Sequence, residues 1–322
     1  MRAGDVSLAA TLTLPDGEPA GRLPWALLIP SWLPRNRDGG WDRAGHPGWF
    51  APGASEPAGL FERLAVELAA RGVASLRYDP HGCADSGGNW AASNLFTRID
   101  DARDAIGAMR SRRELDLRRT AIIGHGEGAV IAISVAVGDP AIGAVGLVGP
   151  PARSFRDVLR RGAAERQRTG TDREHPFVAV LDRNSEELIE RAARREAEME
   201  LRLGDASVRL SLAGWEQAMH TPALALATML HRYVVIAHGM RDAWADPDES
   251  RLLASVLTAA GNRPILQLVE GAGHDLAEAA DDRIGAFADA LAGGMEPREL
   301  PPVLVAIEEM TGDPEATLDS RS

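Results

Sequence analysis

The sequence contains no lysine: all 35 of its Lys+Arg residues are arginine. That usage points to a high-GC bacterial genome rather than to a function. Cysteine occurs once, at Cys83. A single thiol cannot close an internal disulfide, so a reducing compartment is expected. Positive charge is in deficit, with 47 acidic residues and a formal net charge of −12. That balance argues against nucleic acid or an anionic membrane surface as partner. No apolar run approaches the roughly 20 residues that a bilayer-spanning helix needs. Met1 to Ala10 lacks the basic region and long apolar stretch of a secretory leader. A cytoplasmic protein that does not engage membranes is therefore expected. No internal repeat is visible, and nothing in the motifs calls for a cofactor or a metal.

What is present is a chain of 322 residues, 45% hydrophobic and 25% charged. That is enough for one large α/β domain with an insertion, or for two ordinary domains. Six apolar runs stand out: Trp25 to Pro30, Val73 to Tyr78, Thr120 to Gly124, Ile142 to Val148, Tyr233 to Ala237 and Pro264 to Val269. They are nearly continuous in aliphatic residues, as strands buried on both faces must be. Helical patterns separate them, from about Glu56 to Arg71, Arg98 to Arg112, Glu127 to Val137, Asp248 to Ala260 and Leu276 to Leu291. The alternation predicts a mostly parallel sheet with helices on both faces. An opening pair of strands is expected around Val6 to Leu14, with a turn at Pro15-Asp16-Gly17. Ala152 to Leu230 breaks the rhythm, with no convincing strand and many Arg and Glu residues. Glu186 to Leu203 reads there as one amphipathic helix with Leu188, Ile189, Ala192, Met199 and Leu203 on its apolar side. The expected organisation is a core of residues 1–150 and 231–294, a helical lid of residues 151–230, and a tail of residues 295–322 whose end has the composition of a disordered segment.

The strongest motif is Gly124-His125-Gly126-Glu127-Gly128, which follows a strand and opens a helix. A nucleophile elbow has the pattern G-x-S-x-G at such a turn. Every feature matches except the serine, which is Gly126. Past the next-to-last strand comes His238-Gly239-Met240-Arg241-Asp242, and past the last comes Gly271-Ala272-Gly273-His274-Asp275. The order elbow, acid, base is that of α/β-hydrolases. Asp242 would hold the His274 imidazole in its productive tautomer, with Asp246 as a rival acid four residues on. Cys83, on the loop after Tyr78, reads as a small semi-buried residue rather than a substitute nucleophile. His125 reads as a packing residue, and Glu127 as pointing away along its helix.

Two more blocks complete a resemblance. They are Ile29-Pro30-Ser31-Trp32-Leu33-Pro34 with Asn36-Arg37-Asp38-Gly39, and Arg77-Tyr78-Asp79-Pro80-His81-Gly82 running on to Gly88. In this order, over about residues 5 to 292, the chain resembles bacterial α/β-hydrolases of the esterase and acyl-peptidase-like type. The resemblance implies an α/β-hydrolase fold and an oxyanion hole built from the backbone N–H of Glu127 and one from Ser31 or Trp32. His81 stands where the family has arginine and reads as structural or pocket-lining. Glycine at the elbow tolerates the strained geometry of that position. Trp32, Trp41, Trp49, Phe50, Trp90 and Trp244 fall on loops expected after strands. There they either wall a hydrophobic pocket, with Trp41, Trp90, His81 and Trp244 around the substrate, or pack under the lid.

Three functions follow. The first is an enzyme for a small, hydrophobic acyl or carbonyl substrate, in which the His274–Asp242 dyad is a general base without a serine nucleophile; it would act by water-mediated hydrolysis, as a lyase or in cyclisation. The second is a non-catalytic binder of a small ligand. The third is a serine esterase carrying an engineered serine-to-glycine change at position 126. The first is favoured because a pure binder has no need of both His274 and Asp242. The expected partner is a small molecule, and a homodimer is compatible with the composition.

Overall fold

The computed structural model describes residues 1–46, 59–170, 176–203, 206–212 and 215–297. Trp49, Phe50, the first residues of the helix expected from Glu56, and the end of the tail lie outside them. The strands are β1 (Arg2–Ala3), β2 (Val6–Ser7), β3 (Ala10–Thr13), β4 (Leu23–Ile29), β5 (Ala74–Tyr78), β6 (Leu115–His125), β7 (Ile142–Val148), β8 (Glu198–Leu203), β9 (Ala206–Ser211), β10 (Tyr233–Gly239) and β11 (Ile265–Val269). Seven of them form the central sheet, in the order β11-β10-β7-β6-β4-β5-β3. All neighbours are parallel except β3, which runs antiparallel along β5. Two strands, β2 and β3, fall within Val6 to Leu14 as expected, but they do not pair with each other: β2 pairs with β1, and β3 crosses to β5.

The near-continuous apolar runs are explained by burial on both sides. Every residue of β4 and β7 is buried, and successive side chains alternate between two cores. Leu27, Ile122, Val145 and Ile236 face one layer, with α2 (Leu95–Met109), α3 (Glu127–Gly138) and α9 (Pro247–Ala259). Leu28, Ile123 and Val235 face the other, with Leu60, Phe61, Leu64 and Leu68 of α1 (Leu60–Ala69) and Ile284, Phe287 and Leu291 of α10 (Asp281–Gly293). Side-chain caps fix two of these helix starts: Asn94 accepts from the N–H groups of Phe96 and Thr97, and Asp246 from that of Asp248 ahead of Pro247 at the first turn. Such caps are worth about 1 kcal/mol each.

Between β7 and β10 the chain forms an inserted segment: α4 (Phe155–Thr169), α5 (Pro176–Arg183), α6 (Ser185–Ala193), the β8–β9 hairpin, α7 (Trp215–His220) and α8 (Ala223–Ala227). The single helix expected over Glu186 to Leu203 is overturned. It stops at Ala193, the chain turns through Arg195 at φ 58°, and an antiparallel hairpin follows. Met199 and Leu201 are buried while Glu198 and Glu200 are exposed, so the period here is two. Leu188, Ala192 and Met199 also fit a helical stripe, so the local pattern did not separate the two periods. Met199, Leu201 and Leu210 form a third apolar cluster with Leu33, Cys83 and Trp90, beyond the carboxyl ends of the strands.

Candidate active site

The turn from β6 into α3 is built by close approach of backbones. A Cβ on Gly124 would lie 2.1 Å from the carbonyl oxygen of Gly128, and one on Gly128 would lie 2.4 Å from that of Ile29. No larger residue fits at either place. Between them Gly126 has φ 55° and ψ −121° as the residue preceding α3, a region that costs a side-chain-bearing residue about 1–3 kcal/mol. The geometry of an elbow is therefore complete at the backbone level and bare at the side-chain level.

The expected base sits beside it. His274, after β11, places Nδ1 2.7 Å from Oδ2 of Asp242, after β10. Its Nε2 is 3.0 Å from the point where a Gly126 side chain would begin. Asp242 is held on all sides: Oδ1 accepts N–H bonds from Trp244 at 2.7 Å and Ala245 at 3.0 Å, and Oδ2 is 3.1 Å from Nε2 of His238. The Asp242 side chain is fully buried. Burial alone would raise its pKa, but His274 and His238 outweigh it and hold the carboxyl well below the usual range. For His274, burial opposes the charged form; the charge and hydrogen bond of Asp242 prevail and raise its pKa above the ordinary imidazole value. Gly149, at the end of β7, makes the approach possible, since a Cβ there would lie 3.0 Å from His274 Nδ1. Asp246, the rival candidate, is exposed and caps α9, and it is Asp242 that bonds His274.

Residues 49–280 match the family model for serine aminopeptidases, S33 (Hydrolase_4). The chain belongs to this family. No curated protein matches it. Among solved structures it is similar to Est1E from Butyrivibrio proteoclasticus with ferulic acid bound, at 15% identity and a TM-score of 0.64 over 91% of this chain and 97% of that one. It is also similar to the α/β-hydrolase GrgF from Penicillium sp. sh18, at 15% identity and a TM-score of 0.60 over 90% and 95% of the two chains. A Paleococcus ferrophilus monoacylglycerol lipase matches at 16% identity and a TM-score of 0.56 over 89% and 99%. The fold is the α/β-hydrolase fold.

In this S33 family member a cleft of about 890 Å³, including its open mouth, lies over Gly126 and His274. Ser31, Trp32, Glu127 and Trp244 line it, and of the four residues expected to wall the pocket Trp244 is the one that does. Trp244 tilts over His274 with ring centroids 6.0 Å apart. Trp41, Trp90 and His81 do not line it. Trp90 is buried behind Trp32, stacked at 6.1 Å, with its indole N–H donating to the Trp32 carbonyl. Trp41 packs on the third apolar cluster beneath the inserted segment. His81 lies 3.6 Å from Asp101 on α2, whose carboxyl burial pushes up to about 6. The aromatic residues thus divide between wall and support.

The sequence missed the opposite wall, where the inserted segment contributes Phe155, Val158 and Trp215. Trp32 meets Trp215 edge-on at 5.3 Å and Phe155 at 6.2 Å. Glu127 does not point away: its carboxylate pairs with Arg98 at the side of the cleft. Arg153, the other cation there, is tied to buried Glu249. His125 is the packing residue expected; burial lowers its pKa to about 3, with help from His274. Cys83 is fully buried, and burial pushes its thiol up to about 12, so it is inert as a nucleophile. Asp42, His46 and Cys83 bring ligand atoms within 4.8 Å of one another. Asp42 there accepts from the backbone N–H groups of Gly45 and Ala84, and His46 bonds the Gly82 carbonyl, so the group braces two loops. No helix among the described residues is long and apolar enough to cross a membrane.

Proposed function

We propose that this chain hydrolyses small acyl substrates with an apolar body, with His274 as general base over the bare elbow and Asp242 as the residue that orients it. One observation carries the reading: His274 Nε2 faces the cleft 3.0 Å from the missing side chain's position, while Nδ1 is fixed on Asp242. A neutral imidazole in that place takes a proton from whatever hydroxyl or water attacks the acyl carbon. Positioned proton transfer of this kind contributes on the order of 10²–10⁴-fold. The first N–H groups of α3, including that of Glu127, have no acceptor within the helix and are placed to meet the developing oxyanion. Such a donor is worth on the order of 10²–10³-fold.

Membership of a hydrolase family favours hydrolysis over a lyase or cyclase reaction. The aromatic wall of Trp32, Phe155, Trp215 and Trp244 suits the body of an acyl group, and the inserted segment serves as a lid over it. The test is steady-state hydrolysis of p-nitrophenyl butyrate. His274→Ala should lower turnover by about 100-fold or more while the thermal transition stays cooperative. Equal turnover in the two proteins would remove His274 from the reaction and leave a binding site.

A further inference from the structure

The gap over Gly126 already holds a hydroxyl. A side chain begun at Gly126 would place its Cβ 2.5 Å from Ser31 Oγ, 3.1 Å from Ser31 Cβ and 3.0 Å from His274 Nε2. The base and the Ser31 oxygen therefore flank one point. Sheet register explains the encounter. β4 and β6 are parallel neighbours with Ile29 opposite Gly124, so two residues further on Ser31 stands level with Gly126. Pro30 stiffens the backbone just before it.

Ser31 also differs from the other hydroxyls of the cleft. Ser93 Oγ donates to the Trp90 carbonyl at 2.8 Å, and Thr221 Oγ1 donates to that of Gln217 at 2.8 Å. Those protons are committed. No hydrogen bond ties down Ser31 Oγ among the described residues, although the residue is only 7% exposed. A hydroxyl has one proton to give, and here an imidazole nitrogen is the acceptor at hand. Contacts of this sort are often loose before substrate binds and tighten in the Michaelis complex.

We propose that Ser31 is the nucleophile, moved from the elbow to the end of the neighbouring strand, and that it forms an acyl-enzyme with ester substrates. The inference rests on His274 and Asp242 acting as proposed above. His274 Nε2 takes the Ser31 proton as Oγ bonds to the acyl carbon. The imidazolium returns that proton to the leaving oxygen as the acyl–oxygen bond breaks, and an alcohol departs. Water then gives a proton to His274 and adds to the acyl carbon. The carboxylic acid leaves as Ser31 Oγ recovers its proton. Glycine at position 126 is a requirement of this arrangement, because any Cβ there would displace the Ser31 oxygen.

The experiment uses the full chain, a small fluorophosphonate and p-nitrophenyl butyrate. Peptide mapping should place the phosphonyl adduct on Ser31. The labelling rate should fall by about 100-fold or more in both Ser31→Ala and His274→Ala. The butyrate ester should give a nitrophenolate burst that Ser31→Ala lacks. Ser31→Cys guards against a folding defect in the alanine variant: its thiol should react with iodoacetamide, and more slowly once His274→Ala is added. Absence of an adduct at Ser31 overturns the proposal, as does wild-type turnover in Ser31→Ala. If His274→Ala is inactive in that second case, the base stands and water is the nucleophile. If His274→Ala also keeps its turnover, the base reading falls as well.

Discussion

The two halves of the site are built differently. Around Asp242 both carboxylate oxygens are paired: two backbone N–H groups, His238 and His274 surround them, and His238 is itself held by Ser250 and the Ala245 carbonyl, while His274 Nε2 is left facing the cleft. On the opposite side Gly126 offers only backbone, and the hydroxyl of Ser31 beside it has no hydrogen bond among the described residues. A carboxylate and imidazole buried together must be fully paired, because an unpaired buried charge costs several kcal/mol. A small neutral hydroxyl at the edge of an open cleft carries no such demand. The dyad is thus a rigid fixture, and the opposite side is where the chemistry can move.

The largest effect should come from breaking the fixture. Asp242→Asn keeps the shape but offers His274 Nδ1 a donor instead of an acceptor, which selects the wrong tautomer. Turnover of p-nitrophenyl butyrate should fall by on the order of 10²–10⁴-fold, measured beside the wild type at equal concentration. A smaller fall would mean that His274 is oriented by other groups.

The pH profile sharpens the same contrast. His274 must be neutral to accept a proton, and its pKa is raised in the folded chain. The rate should therefore climb with pH to a midpoint above the ordinary imidazole value of about 6.5. Stability runs the other way. The raised His274 pKa contributes stability that is complete below its unfolded value and is lost as pH rises through the folded one. The depressed Asp242 pKa contributes stability present above about 3.9 and lost as pH falls through the folded value. Melting curves for wild type and His274→Ala should accordingly converge at alkaline pH relative to neutral. Curves that stay parallel would show that the pair adds nothing to folding.

Next comes the elbow itself. Gly126→Ser puts a side chain at φ 55° and within 2.5 Å of Ser31 Oγ. It should destabilise the protein by about 1–3 kcal/mol from backbone strain alone, read by chemical denaturation. Adding Ser31→Gly should recover the part due to crowding. Equal stability of the single and double variants would show that Ser31 turns aside freely. The smallest effect belongs to Cys83: with its thiol pushed up to about 12 and fully buried, it should resist iodoacetamide until the protein unfolds.

Much of this architecture is legible in the sequence. Runs such as Ile142 to Val148 have one physical outcome, a strand covered on both faces. The close spacing of Gly124 and Gly128 follows from the approach of β6 and α3 to β4, and Gly126, Asp242 and His274 follow the carboxyl ends of β6, β10 and β11, in that chain order. Glu186 to Leu203 departs from the single expected helix because Leu188, Ala192 and Met199, four and seven residues apart, continue a helical stripe across the turn at Arg195, while Met199 and Leu201 alternate as a strand; packing against Leu33 and Trp90 decided it.

Spatial order was beyond the reach of any local pattern. Trp90 and Trp41 share their scarcity and loop position with Trp32 and Trp244, yet only the latter two reach the cleft. The wall from Phe155 and Trp215 comes from a segment whose sequence shows amphipathic helices and nothing of where they dock. Ser31 and Gly126 are 95 residues apart and meet because β4 lies beside β6 in a register that sets Ile29 against Gly124. Side-chain periodicity and turn chemistry, which act over a few residues, determined the strands and helices of the core, and the order of the motifs singled out Asp242 and His274. The pairing of non-consecutive strands, which only the packed sheet establishes, decided that a serine hydroxyl would stand where the elbow has none.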